Sequence, residues 1–585
     1  MRIPASLFTL ALVAVALVVA VRLAARESHD VKAELNVPMK TRDGVTLNAD
    51  VYRPKGEGKF PVILRRTPYG KATAGTEGID TAARGYVYIA QDVRGRESSG
   101  GEWYPFKHEA EDGYDAVEWA AALPYSNGKV GLISGSYEGI TQLFAAMAAP
   151  PHLVCTYTGV CPADVYHELV YNGGAFMLAL TQAWAGALSV NEFNRRVAPA
   201  AGADYWAQHN ALADYPQVKV PAAHDLAKYY QDWLKHPAYD DYWKAFSFAQ
   251  HYDKITVPVL HWGGWYDLFA VGTLRNYAGI RDHGGSETAR KGQRLVMVPG
   301  GHAGFTRKIN DVDFGENSVF QLWPHAMRWF DWHLKGIDDG MSREKPVHLF
   351  IMGENVWRDE DDWPLARAVS TRYYLHSGGH ANTAKGDGRL GTDQPADEAA
   401  DRYVYDPANP VPTIGGATLG MVSPAAGPSD QKSLENRADI LAYATPVFDH
   451  PVEVTGPVSL DAFFSTSVED TDLIGRLIDV YPDGRAILLT EGVLRLRYRD
   501  SFEKPELMKP GQVYHVNVDL WATANVFLPG HRLRLEITSS SYPRFDRHPN
   551  HGGELSGTVH PVPATSLIHH DREHPSALVL PIVPR

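Results

Sequence analysis

The sequence predicts an α/β protein: a mostly parallel sheet with helices on both faces, an inserted helical cap and a C-terminal β-sandwich. Three observations carry this. From about Glu34 to Leu334, short apolar runs alternate with helix-patterned stretches, the pattern of parallel strands buried on both faces. Between Asp164 and Tyr252 the alternation stops, and the chain turns helical and aromatic-rich. After Leu334 it becomes a series of short alternating runs with turn signals, as in a jelly roll.

In chain order the N-terminus comes first. Arg2 precedes an apolar stretch, Leu7 to Val21, and Arg22 and Arg26 follow it. The stretch is short for a bilayer span and suits a signal peptide or a short anchor. A cut after Ala20 lacks the A-x-A pattern, so both options stay open. Residues 1–30 are therefore read as signal peptide or anchor, and the body as exported (periplasmic or secreted) or membrane-tethered. Asn36–Lys40, the turn Arg42-Asp-Gly44 and Thr46–Tyr52 form a β-hairpin pattern. Strand-like runs follow at Pro61–Leu64, Tyr86–Ala90, Lys129–Ile133, Leu153–Gly159, Val257–Trp262 and Arg294–Val298, with a helix over Asp112–Leu123. The core thus spans 31–163 and 253–340, interrupted by a cap over 164–252 that holds Trp184, Trp206, Trp233 and Trp243. Those tryptophans either line a pocket or pack the cap itself.

The sandwich is assigned to 341–585, from Val347–Met352, Thr371–His376, Val452–Ser465, Gly475–Val480, Arg485–Leu496, Gln512–Leu520 and His531–Ser539. Tyr481-Pro-Asp-Gly484 is a turn, and Asn409–Gly427 reads as a long loop.

Composition narrows the function. A net charge of −13 with no long basic run argues against nucleic-acid binding. The two cysteines, Cys155 and Cys161, are too few for a disulfide framework and lack zinc-ligand spacing, so both are expected to be unpaired. No metal or nucleotide motif is present, and no cofactor is expected. His569-His570-Asp-Arg-Glu-His574 is expected to be an exposed loop.

The candidate chemistry lies at three strand ends. Gly131-Leu-Ile-Ser-Gly-Ser136-Tyr-Glu-Gly139 reads as strand, tight turn and helix, which exposes the Ser136 hydroxyl beside a helix N-terminus. Ordinary βα turns share this composition. The G-x-S-x-G spacing is also not met: Ser134 replaces the first glycine, and the second arrives late, at Gly139. Two later strands run into Gly263-Gly-Trp-Tyr-Asp267 and Pro299-Gly-Gly-His302. The order Ser136, Asp267, His302 is that of an α/β-hydrolase triad. The hydroxyl needs a base, the imidazole supplies it, and the carboxylate fixes the tautomer.

Several longer motifs resemble the family of cocaine esterase, X-Pro dipeptidyl-peptidases and related acylases. They are Ser136-Tyr-x-Gly139-x-Thr-Gln142, Arg66-Thr-Pro-Tyr69, Gln91-Asp-Val-Arg-Gly-Arg96, His236-Pro-Ala-Tyr-Asp-Asp-Tyr-Trp243, Gly263-Gly-Trp-Tyr-Asp267 and Ser541-Tyr-Pro-Arg-Phe-Asp-Arg-His-Pro-Asn550. The resemblance implies an α/β-hydrolase core, a cap and a jelly roll. It implies that the Tyr69 phenol and the Tyr137 N–H form an oxyanion hole, and that Phe269 walls the acyl pocket. Trp265 and Glu168 are further pocket candidates. The Gln91–Arg96 loop is expected to be structural, with no chemistry for Asp92 or Arg94. The α-amino-acid ester hydrolases share Ser-Tyr-Glu-Gly, which Glu138 fits. They also place ammonium-binding carboxylates where this chain has Leu268, Phe269 and Ala270, which disfavours an α-amino acyl substrate. A carboxylate from the cap could replace them, and Glu168 is the candidate.

The main reading is a serine hydrolase acting on a small-molecule acyl ester or amide through an acyl-enzyme. An X-Pro dipeptidyl-peptidase or a side-chain amide acylase of the glutaryl-acylase kind is the alternative. A non-catalytic protein that binds through the jelly roll is a third. Membrane contact is expected only through the N-terminal segment.

Overall fold

A computed structural model describes residues 28–192, 226–302, 306–420, 425–553 and 560–585. The chain divides into two units. One is the stretch ending at Tyr104 with His108–Thr156 and Phe330–Ile337; the other is Pro105–Lys107, Tyr157–Trp329 and Asp338–Arg585.

The first unit opens with the predicted hairpin. β1 (Val31–Lys40) pairs antiparallel with β2 (Thr46–Pro54), and the Thr41 N–H donates to the Val45 carbonyl at 2.9 Å to close the turn. β3 (Phe60–Thr67), β4 (Val87–Asp92) and β5 (Ser126–Gly135) complete the order β1-β2-β4-β3-β5, with β3 parallel to both β4 and β5. Parallel neighbours need crossovers, and α1 (Gly75–Ala83) and α2 (Glu109–Ala122) supply them. Every residue of β4 is buried, so both its faces are covered, as its apolar run predicts. α3 (Tyr137–Met147) follows β5 after a single residue, Ser136. α2 and α3 approach closely where Gly113 faces Ala145.

The division between the units falls inside β6 (Leu153–Gly159), whose bounds match the sequence reading. In the second unit the cap contains a π-helical turn at Tyr166–Val170, α4 (Leu178–Glu192) and α5 (Lys228–Lys235). Its described tryptophans pack against other aromatic rings. Trp184 stacks on Trp233 at 6.0 Å and on Phe106 at 6.5 Å, and Trp243 is fully buried. Trp206 lies outside the described residues. β7 (Val259–Tyr266) and β8 (Arg294–Gly301) pair in parallel, and α6 (Ala270–His283) leaves the end of β7.

One strand departs from expectation. Val347–Met352 was grouped with the sandwich by its apolar run. As β9 (Val347–Ile351) it instead pairs parallel with β8, and β10 (Val356–Glu360) pairs antiparallel with β9. An apolar run reports burial, not which sheet buries it.

From Val369 onward the strands are antiparallel to most of their neighbours and share one core that includes Leu375, Tyr403, Leu460, Leu477, Leu535 and Leu578. The predicted runs appear with shifted ends. Strands Asp401–Tyr405, Ala564–His569 and Ala577–Val583 are additional. The Tyr481–Gly484 turn closes with the Gly484 N–H donating to the Tyr481 carbonyl at 3.0 Å. Asp571–His574 form the expected loop, with Arg572 and Glu573 exposed, but the expectation is corrected for His569 and His570. His569 ends a strand, and His570 is fully buried, its Nε2 2.9 Å from an Asp401 carboxylate that also accepts from Ser377 and Tyr443. Histidine-rich polar sequence looks solvated until its partners, here some 130 to 190 positions away, are brought in.

Both cysteines are buried and form no disulfide with each other. Most of the segment read as signal or anchor, residues 1–27, lies outside the described residues. No described helix is long and apolar enough to cross a membrane.

β7 and β8 approach closely at Gly264, where an added Cβ would overlap the Gly300 carbonyl. Gly264→Ala must push the two strands apart, a strain costing roughly 1–3 kcal/mol. These strands lead to Asp267 and His302, so turnover is expected to fall further than the loss of Tm explains. Unchanged melting and kinetics would show that the close approach is not a constraint.

Candidate active site

β5 ends at Gly135 and α3 begins at Tyr137, so Ser136 alone makes the turn between them. Its backbone sits at φ 61°, ψ −132°, and Ser134 is also at positive φ, 127°. Such conformations cost about 1–3 kcal/mol each in L-residues and persist only where the surroundings enforce them. The two positions that break the G-x-S-x-G spacing supply part of that enforcement. The Ser134 hydroxyl donates to Glu138, whose other carboxylate oxygen accepts from Arg65 Nε and Nη2 at 3.0 and 2.9 Å. Gln142 donates its amide to the Ser134 and Glu138 carbonyls at 2.9 and 3.1 Å. Ser134 and Glu138 are thus engaged in holding the turn, and Glu138 is neutralised by Arg65 rather than available to a substrate ammonium.

Tyr137 opens α3, and the first-turn N–H groups of a helix point toward its N-terminal end, where an anion is favoured. Its phenol donates to Glu109 at 2.8 Å. Tyr69 lies on the loop after β3, 38% exposed, with its ring edge-on to Tyr137 at 6.4 Å. The Gln91–Arg96 loop braces this segment. Arg96 Nε donates to the Pro68 carbonyl at 2.9 Å, and Asp92 accepts from the Lys71 backbone N–H at 2.7 Å. Arg94 is bound by Asp112 and Asp43. The structural role read for this loop agrees with these bonds. Glu109 and Arg65 carry no signal in the sequence. A first-turn glutamate and an arginine near a strand end belong to no motif, and only their partners reveal them.

In the second unit Asp267 follows β7 and is fully buried. Its Oδ1 accepts the Phe269 N–H at 2.7 Å and so shapes the turn into α6, while Oδ2 accepts from His302 Nδ1 at 2.7 Å. The carboxylate therefore serves both as turn partner and as histidine orienter. With Nδ1 bound, the neutral imidazole presents Nε2 as its basic nitrogen. Phe269 sets its ring edge-on to His302 at 5.4 Å.

Two pocket candidates are corrected. Trp265 is buried, donates its indole N–H to the Phe350 carbonyl at 2.8 Å and packs on Trp363, so it belongs to the core. Glu168 is buried, accepts from the Ala163 N–H at 2.5 Å and pairs with Arg275 at 2.7 Å, so both its oxygens are committed to the protein. Leu268, Phe269 and Ala270 are buried apolar residues. Among the described residues no group of three or more His, Cys, Asp or Glu is placed to hold a metal.

Burial pushes the Glu168 carboxyl from its ordinary 4.5 up to about 7, against the pull of Arg275. The folded protein then holds more protons than the unfolded chain between those values. The contribution of this group to stability is full below about pH 4.5 and is lost as pH rises through about 7. Denaturant melts of Glu168→Gln against pH should lack that decline. An identical pH dependence in both proteins would remove Glu168 as its source.

Comparison with known proteins extends the geometry. A family model described as X-Pro dipeptidyl-peptidase (S15 family) matches residues 43–304, and one described as X-Pro dipeptidyl-peptidase C-terminal non-catalytic domain matches 339–579. Cocaine esterase of Rhodococcus sp. (strain MB1 Bresler) is 36% identical over 580 residues, covering 95% of this chain and 99% of that protein. Among solved structures, an aminopeptidase from the marine sediment archaeon Thaumarchaeota archaeon is similar with a TM-score of 0.79 at 25% identity, covering 96% of this chain and 97% of its own. An α-amino acid ester hydrolase shares the fold with a TM-score of 0.77 at 24% identity, covering 95% of this chain and 97% of its own.

Proposed function

The chain belongs to the family that joins cocaine esterase to the X-Pro dipeptidyl-peptidases and is a serine hydrolase acting on esters or amides, and from that premise we propose that Ser136 is its nucleophile, with His302 as base and Asp267 as orienter. The observation that carries this is the backbone of Ser136, held at φ 61° between a strand end and a helix start. A serine is placed at such cost where its hydroxyl is used. The bonded Asp267–His302 pair supports the base, and the order Ser136, Asp267, His302 supports uniting the three in one mechanism. His302 Nε2 takes the hydroxyl proton as Oγ attacks the acyl carbonyl. The proton then passes to the leaving alcohol or amine, and water releases the acyl group by the same route. The Tyr137 N–H and the Tyr69 phenol are the proposed oxyanion donors.

The substrate proposed is an acyl ester or amide without an α-ammonium. Leu268, Phe269 and Ala270 offer no charge, and Glu138 and Glu168 are each already paired with an arginine. This reading sets the chain apart from dipeptidyl-peptidase action on a free amino terminus.

Kinetics with p-nitrophenyl esters and a fluorophosphonate probe tests the assignment. Ser136→Ala should abolish turnover and labelling with Tm nearly unchanged, and Ser134→Ala should keep the label on Ser136. His302→Ala should lower kcat by on the order of a thousandfold or more. Tyr69→Phe should cost about a hundredfold, mainly in kcat. Labelling that survives Ser136→Ala would refute the nucleophile, and an unchanged kcat in Tyr69→Phe would leave only backbone donors.

Export or tethering of the body is proposed from the Leu7–Val21 segment alone. N-terminal sequencing of the mature protein reads the outcome. A start after Ala20 means export with cleavage, an intact N-terminus in the membrane fraction means tethering, and an intact soluble cytoplasmic protein contradicts both.

A further inference from the structure

Glu109 is the first residue of α2 and is buried, with each carboxylate oxygen committed to a different element. Oε2 accepts from Arg66 Nη1 on β3 at 2.8 Å. Oε1 accepts from the Tyr137 phenol on α3, also at 2.8 Å. Arg66 is fixed in turn by donating Nε to the Gln91 side chain on β4 at 3.0 Å. One carboxylate thus ties together β3, α2 and α3 at the point where the strained turn becomes a helix. Burial raises the Glu109 pKa, a penalty on its ionised form that Arg66 and Tyr137 only partly offset. Stability alone does not call for this arrangement, since apolar packing can replace a buried ion pair without loss. A fixed carboxylate adds geometric definition, because it holds the phenol at one distance and one angle.

We infer that Glu109 is a positioning residue for the hydrolysis: through the Tyr137 phenol it holds the first turn of α3, and with it the N–H at position 137. This rests on the reading of Ser136 as nucleophile and of that N–H as oxyanion donor. The same phenol-bearing ring lies edge-on to Tyr69, so the hold extends to the second proposed donor. Trp103 supports the ring from another side at 6.3 Å and carries Arg96 over its own face at 4.8 Å. Arg96 holds the Pro68 carbonyl, one residue before Tyr69. Both donors are therefore set by one connected layer behind them, with Glu109 its charged anchor.

The experiment compares full-length wild type, Tyr137→Phe, Glu109→Gln and the double variant, by p-nitrophenyl ester kinetics, fluorophosphonate labelling rate and Tm. Tyr137→Phe keeps the ring and the N–H and deletes the bond to Glu109. It should lower kcat by about tenfold or more with KM within about twofold, and slow labelling in parallel, because small displacements of a donor are costly in the transition state. Glu109→Gln should lose at least as much. The double variant should fall little below the lower single, since both act through one link. A purely structural bond predicts a lower Tm with unchanged kcat per folded molecule, and that result overturns the proposal. If Glu109→Gln does not fold, Tyr137→Phe decides by itself. Failure of the underlying reading looks different, because then the wild type is not labelled at Ser136, and the inference falls with it.

Discussion

The conformation of Ser136 is the constraint on which the rest of the first unit depends. A non-glycine residue at φ 61°, two residues after another at 127°, does not hold itself in place. The chain holds it from several directions. Below the turn, Arg65 fixes Glu138, Glu138 fixes Ser134, and Gln142 fixes the carbonyls of both. Behind it, Glu109 fixes the Tyr137 phenol. Beside it, Arg96 fixes the segment that carries Tyr69. Small residues usually make room at such turns. Here polar side chains fill the space and bond to one another, so bulk becomes support.

The second unit solves a related problem with the opposite means. β7 and β8 meet at Gly264, whose lack of a side chain leaves room for the Gly300 carbonyl. That approach sets the spacing from which Asp267 and His302 emerge. Asp267 then serves two partners, one oxygen for the turn into α6 and one for the imidazole, so the orientation of the histidine is coupled to the start of the helix. The Glu168–Arg275 pair secures α6 from the cap side. Its burial shows why a carboxylate near a site is not by itself a substrate contact: both oxygens are already used.

Buried charge recurs wherever distant segments must meet in register. In the β-rich part Arg495 is fully buried between Asp472 and Asp546, with bonds of 2.8 to 2.9 Å, and Arg544 is bound by Glu491 at 2.7 Å. Removing one member of such a group strands the other, which typically costs about 3–5 kcal/mol. The Ser541–Asn550 motif owes its shape to these bonds: Arg544, Asp546, His548 and Asn550 are all tied into the sandwich.

The sequence by itself determined the architecture and the three residues on which a mechanism is proposed. Strand period, apolar runs and turn chemistry are local properties, and Ser136, Asp267 and His302 each sit where a local pattern ends. What only the tertiary structure decided were matters of partnership. Val347–Ile351 is apolar in either sheet, and its pairing with β8 is a long-range choice. Trp265 stands two residues before Asp267, but the alternation of a strand turns its ring into the core. Glu168, His570 and Glu109 look like ordinary polar residues, and their roles follow from Arg275, Asp401 and Tyr137, which lie 107, 169 and 28 positions away. Local spacing specifies which residues a strand end or helix start presents. Which of them are consumed by the protein, and which remain for chemistry, depends on contacts that exist only once the chain has folded.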